Sequence, residues 1–151
     1  LVGQDFRGSW SMPAENSFNA VLYRDAGADY VPPSSTADAA GAAPSEGTAS
    51  TGSRTTTVET ALLQYGDADC WVGVQASTYE ELQAASSRYA LFRPFRSGEV
   101  YNFNGRTTPE GGNDYWESAV VHADSLLADL IRVFHPTLLP GHEWVYVRPL
   151  R

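Results

Sequence analysis

Two stretches of this sequence hold large aromatic side chains among glycines and short polar residues, a mixture that suits ligand recognition. The first is Gly8-Ser9-Trp10-Ser11-Met12-Pro13-Ala14-Glu15-Asn16-Ser17. The second is Asn102-Phe103-Asn104-Gly105-Arg106, continuing to Gly111-Gly112-Asn113-Asp114-Tyr115-Trp116-Glu117. Each follows a segment that reads as a strand. Ligands of α/β sheets meet the loops beyond the carboxyl ends of strands, so both stretches could share one edge. Trp10, Met12 and Asn16 from the first, and Asn104, Arg106, Asn113, Tyr115 and Trp116 from the second, are the candidate ligand-binding residues. The rings offer flat apolar walls, while the amides and the guanidinium offer hydrogen bonds. Together they suit a large ligand that is partly apolar and partly anionic. Taken one at a time, each aromatic is more readily a packing residue. Trp116 could lie under the last helix, and Gly111-Gly112 could be a plain turn.

Catalytic arrangements are harder to assemble. His122, His135 and His142 lack zinc-ligand spacing and an obvious carboxylate partner, so structural or solvated roles fit them better. No Gly-x-Ser-x-Gly elbow occurs, and the single Cys70 lies in Asp69-Cys70-Trp71-Val72-Gly73-Val74, which reads as a buried strand. The glycines lack the spacing of a phosphate loop. Asp114 and Glu117 could form an acid pair, but three-residue separations are commonplace. The residues point to a binding protein without a resident cofactor or metal, not to an enzyme.

The elements that must position the two stretches alternate along the chain. Leu1-Val2-Gly3 reads as the end of a first strand. Phe18, Val21, Leu22 and Ala26 then recur at helical spacing, with Asn16 or Ser17 as cap and Gly27 as stop. Ala28 to Val31 reads as a short strand. Pro32 to about Ala49 is a low-complexity insert of Pro, Ala, Ser, Thr and Gly without apolar period. Thr56-Thr57-Val58-Glu59 resembles a capping box opening a helix with Val58, Ala61, Leu62 and Tyr65. Trp71 to Val74 is a strand, Thr78-Tyr79-Glu80-Glu81 starts a helix, and Arg88 to Phe95 makes a further helical turn. Glu99 to Phe103 is a strand. The last helix shows Leu127, Leu130, Ile131 and Phe134 on one face, ends at Pro136, and precedes a closing strand at Trp144-Val145-Tyr146-Val147. This alternation predicts an α/β domain of three layers, Rossmann-like, with a mostly parallel sheet flanked by helices.

Composition narrows the partners. With 10 basic residues, all arginine, against 18 acidic ones, the formal charge is -8. Nucleic acid and anionic membrane surfaces both need a basic footprint, so neither is a partner. A chain of 151 residues with 42% apolar content can build one domain with its own core. No stretch reaches the length that crosses a bilayer, and no signal sequence stands at Leu1, so the chain reads as mature or trimmed.

Several of these residues also carry a family resemblance. The run Arg88 to Asn102, then Gly111-Gly112-Asn113-Asp114-Tyr115-Trp116-Glu117-Ser118, then Ala128-Asp129-Leu130-Ile131 and Phe134-His135-Pro136 through Glu143, resembles the C-terminal end of type III periplasmic substrate-binding proteins. The likeness is closest to the lipoprotein-type receptors of Bacteroidetes. Gly8-Ser9-Trp10, Pro13, Asn16-Ser17, Asp25 to Tyr30 and Ser50-Thr51-Gly52-Ser53 resemble earlier parts of the same lobe. The resemblance spans residues 1–151 apart from the insert. It implies a C-terminal lobe whose N-terminal lobe and connecting helix are missing here. It further implies capture of a metal chelate (an iron-siderophore complex, haem or cobalamin) and delivery to an ABC permease in the inner membrane. A periplasmic, lipid-anchored location would follow, with Asp29 as the acidic residue that docks on the permease. The alternative is a stand-alone carbohydrate or protein interaction module that uses the same aromatics as an open platform. A small hydrolase ranks third.

Overall fold

The computed structural model describes residues 1–33 and 52–151, so all but the first two residues of the insert at about 32–49 lie outside the described residues. The chain forms β1 (Asp5–Phe6), β2 (Ser9–Pro13), α1 (Phe18–Asp25), β3 (Ser53–Thr56), α2 (Val58–Tyr65), β4 (Trp71–Val74) and α3 (Tyr79–Ala85). A 3-10 turn at Ser87–Leu91, then α4 (Arg93–Ser97), β5 (Val100–Asn102), α5 (Tyr115–Ser118), α6 (Ala123–Phe134) and β6 (Arg148–Pro149) complete it.

The expected mostly parallel, Rossmann-like sheet is not what these elements build. The strands make two separate three-stranded sheets, β1-β2-β3 and β4-β5-β6. The first is wholly antiparallel, and in the second β4 and β5 run parallel while β6 runs antiparallel. Leu1 to Gly3 extends the parallel part: Val72 N–H donates to the Leu1 carbonyl at 2.9 Å, and Gly3 N–H donates to the Val72 carbonyl at 3.0 Å.

The reason lies in local turn chemistry. Arg7 and Gly8, between Phe6 and Ser9, have φ of 53° and 86°. Two successive residues with positive φ make the two-residue hairpin turn whose twist matches antiparallel strands. The segment expected as a loop, Gly8 to Pro13, is therefore mostly strand, and its alternate side chains Trp10 and Met12 face the core. The expected strand at Ala28 to Val31 is not formed, and β3 was not anticipated.

The closing strand also differs. Trp144 to Val147 is irregular, and only Arg148–Pro149 pairs with β5. Asp129 explains this. Its fully buried carboxylate accepts from the backbone N–H groups of Val145 (3.1 Å), Tyr146 (2.6 Å) and Val147 (2.8 Å). Donors that a strand would give to a neighbour are given to one side chain instead. The buried face of α6 is correspondingly Leu126, Asp129, Leu130 and Val133, with Asp129 among the apolar residues of the stripe.

Several local readings agree with the structure. Ser17 and Thr78 cap α1 and α3, each accepting from the backbone N–H three residues on. The cap of α2 is Thr57, which accepts from Thr60 N–H, one residue later than the Thr56–Glu59 box places it. In α1, however, Phe18 and Val21 are exposed while Ala20, Leu22 and Tyr23 are buried. The core centres on Trp10 and Trp71, whose rings stack 5.5 Å apart, with Tyr89 and Phe92 around them. Both indoles donate into the first segment, Trp10 to the Val2 carbonyl (2.8 Å) and Trp71 to the Gly3 carbonyl (2.7 Å). That segment is thereby held against β4, and its next residues reach the edge described below.

Candidate functional site

A cleft of about 760 Å³ opens beyond the carboxyl ends of the parallel strands β4 and β5. Val74 and Gln75 enter from β4, Phe103 and Asn104 from β5, and Gln4 and Phe6 from the first segment. The hairpin contributes Ser11 and Met12, and the α5 region contributes Asn113, Tyr115 and Trp116.

Local sequence sets this geometry. Gly73 has φ of 78°, and β4 breaks register between Val72 and Val74, a bulge that turns the strand end. A Cβ at Gly73 would stand 3.0 Å from the Phe103 ring, so glycine lets that ring lie down at the cleft base. A Cβ at Gly105 would meet the Val145 carbonyl at 2.6 Å, while its N–H donates to the Tyr146 carbonyl at 2.8 Å. The loop carrying Asn104 thus rests on the segment that Asp129 holds.

The aromatic wall is a row. Phe103 and Tyr115 stack nearly parallel, 4.5 Å between centroids, and Trp116 meets Tyr115 edge-on at 5.1 Å. Tyr115 is buried and its hydroxyl donates to Asn19 Oδ1 at 3.1 Å. Burial pushes its phenol pKa up to about 12, with the Asn19 bond pulling slightly the other way. Trp116 stands 76% exposed, an unusual position for the largest apolar side chain.

Five of the eight candidate residues, Met12, Asn104, Asn113, Tyr115 and Trp116, come together in this cleft. Met12 contributes from below, since it is almost fully buried. Trp10 does not reach the surface at all, because strand alternation turns it into the core with zero exposure. Asn16 is exposed just before α1, outside the lining. Arg106 is also outside it: the guanidinium pairs with Asp114 at 3.0 Å and lies over the Tyr146 ring. Asp29 is exposed beside a separate depression of about 530 Å³ that it lines with Tyr30 and Tyr65.

Residues that the sequence did not suggest also line the cleft. Asn19 and Gln75 bring amides, and Phe6 brings a ring that is 65% exposed. Asn19 had a signal: it sits next to Ala20 on the first turn of α1, facing the same way as the buried Tyr23 four residues on. Phe6 had one too, as an apolar residue immediately before a turn dipeptide. Asp129 carried the plainest signal, a carboxylate in the i, i+3, i+4, i+7 stripe of Leu126, Leu130 and Val133. It acts on the cleft only through the backbone it holds.

Among the described residues, no group of three or more His, Cys, Asp or Glu side chains is arranged to hold a metal ion. Nor, among them, is any helix long and apolar enough to cross a membrane. Comparison of the chain with protein-family models, curated proteins and solved structures finds no match.

Proposed function

We propose that this chain is a ligand-capture lobe of a substrate-binding protein, receiving a bulky metal chelate in the Trp116 cleft for delivery to a membrane permease. The observation that carries the reading is the convergence of three distant chain segments on one cleft beyond parallel strand ends. That cleft has a stacked aromatic wall and an exposed tryptophan at its mouth. A buried or merely structural aromatic row would end inside the fold. This one ends in solvent, where a flat ligand surface can cover it. The sequence resemblance supplies the ligand class: iron-siderophore complex, haem or cobalamin. It also supplies the role of Asp29, whose exposed carboxylate can steer toward cationic permease loops.

A lobe that closes on ligand from one side alone should bind weakly, so the test is nuclear magnetic resonance rather than affinity capture. Titration with the three chelate types should move signals of Asn113, Tyr115 and Trp116, and Trp116→Ala should remove most of the response. Shifts caused by oligosaccharides and by none of the chelates would overturn the reading in favour of a carbohydrate module.

A further inference from the structure

The cleft is chemically selective in a way that the aromatic wall alone does not reveal. The chain carries 10 basic and 18 acidic residues, yet among the described residues no charged side chain lines this cleft. Its polar groups are the amides of Gln4, Asn19, Gln75, Asn104 and Asn113 and a few hydroxyls. Of the four arginines within two residues of a lining residue, three bond elsewhere, Arg24 donating to the Glu15 carbonyl. Arg54, after the lining Ser53, pairs with Glu15 at 2.7 Å. Arg106, two residues after Asn104, pairs with Asp114 at 3.0 Å. Arg7, after Phe6, sits with its guanidinium 5.2 Å from the centroid of that ring and does not line the cleft.

The amides are also oriented by bonds within the protein. Asn19 Oδ1 accepts from the Tyr115 hydroxyl, and Asn113 Oδ1 accepts from the Tyr115 backbone N–H at 3.0 Å. Each oxygen is thereby turned toward Tyr115, and the NH2 group of each residue has no partner among the described residues and stays available as a donor. A single buried tyrosine therefore fixes two donors beside the aromatic wall.

Resting on the capture reading above, we infer that the ligand is formally uncharged where it meets this lobe: a neutral chelate with acceptor oxygens on its periphery and a flat apolar face. A carboxylate or catecholate complex entering here would lose hydration without gaining a countercharge. It would also approach a chain of formal charge -8. A cationic face would meet the donor ends of two amides and, among the described residues, no carboxylate. It would find only neutral oxygens such as that of Asn104, whose NH2 group donates to Ser77 Oγ. Neutral hydroxamate or amide carbonyls match donors of this kind without a net charge to compensate.

Gallium(III) complexes of similar size separate charge from shape: a neutral tris-hydroxamate, the same chelate with a pendant ammonium, and a trianionic tris-catecholate. Titrated into the 15N-labelled chain, the neutral complex should shift the side-chain NH2 signals of Asn19 and Asn113 and bind at least ~10-fold tighter than the catecholate. Gln75→Arg, which places a cation on an exposed lining position, should move that ratio toward the catecholate by a similar factor. If the catecholate or the ammonium complex binds the unaltered cleft as tightly as the neutral one, charge selection is wrong while ligand capture stands. If no complex perturbs the cleft at millimolar concentration, the capture reading falls and the charge inference falls with it.

Discussion

Two aromatic groups in this protein are built from the same residue types and do opposite things. Trp10, Trp71, Tyr89 and Phe92 close on one another with essentially no exposure. Phe103, Tyr115 and Trp116 start in the fold and run out to solvent. The indole N–H groups mark the difference. Those of Trp10 and Trp71 donate to backbone carbonyls, whereas Trp116 has no such partner among the described residues. A buried indole needs its hydrogen bond; an exposed one can keep it for water or a ligand. Aromatic content near glycines therefore does not identify a binding surface. Exposure and the indole's acceptor, taken together, separate these two groups.

The largest expected effect comes from breaking the closed group. Trp10→Ala removes a fully buried ring that touches three other aromatics and deletes the bond to Val2. Chemical denaturation should show a loss of about 3–5 kcal/mol, the usual range for such a truncation. A loss below about 1 kcal/mol would mean that this ring is peripheral to the core.

Asp129→Ala comes next. It leaves the N–H groups of Val145, Tyr146 and Val147 without their acceptor, each a buried or half-buried donor. The expected cost is about 3 kcal/mol or more, because unsatisfied buried donors keep their full desolvation penalty. Hydrogen exchange should also accelerate at Gly105, whose N–H donates to the Tyr146 carbonyl. Stability loss with unchanged exchange there would separate the clasp from the cleft.

Tyr115, which joins the inside of the row to its outside, gives a pH test. An exposed phenol titrates near 10, and burial has pushed this one up to about 12. The folded state therefore holds the proton more tightly than the unfolded state. The stability this gives is complete below the unfolded value and is lost as pH rises through the folded one. Unfolding free energy should fall between about pH 10 and 12, and Tyr115→Phe should flatten part of that slope. An unchanged slope in the variant would assign the alkaline transition to the other buried tyrosines.

How far the sequence led can be followed residue by residue. Helix caps at Ser17 and Thr78 were legible because they depend on neighbours three residues away, whereas the cap of α2 falls on Thr57, one residue past the start of the Thr56–Glu59 box. The strands Trp71–Val74 and Val100–Asn102 were legible as short apolar runs. The sheet pairing was not, since it turns on two positive-φ residues, one of them the non-glycine Arg7. Trp144 to Val147 reads as a strand by composition, but Asp129, some sixteen residues earlier, takes its donors. In the cleft, the stretch around Gly111 to Trp116 pointed to the right edge of the molecule. Trp10 pointed elsewhere because its glycine and proline neighbours belong to a hairpin, whose alternation sends that side chain inward.

The smallest expected effect on stability is also the one that sharpens the comparison most. Trp116 is 76% exposed and its ring contact is an edge-on approach to Tyr115. Removing it by Trp116→Ala forfeits little buried area, so stability should change by no more than about 0.5 kcal/mol, as for surface positions generally. Its fluorescence contribution should be out of proportion to that. Trp10 and Trp71 are shielded, and Trp144 is half-covered with Arg132 over its ring at 4.4 Å. Acrylamide should therefore quench mainly Trp116 in the native chain, and the substitution should remove most of the quenchable emission without moving the melting temperature. The same variant should lose the chelate response described above. If instead Trp116→Ala costs more than about 2 kcal/mol, the ring is packing the start of α6 and the row closes like the Trp10 group. The contrast between a core that satisfies its indoles and a cleft that leaves one free would then disappear.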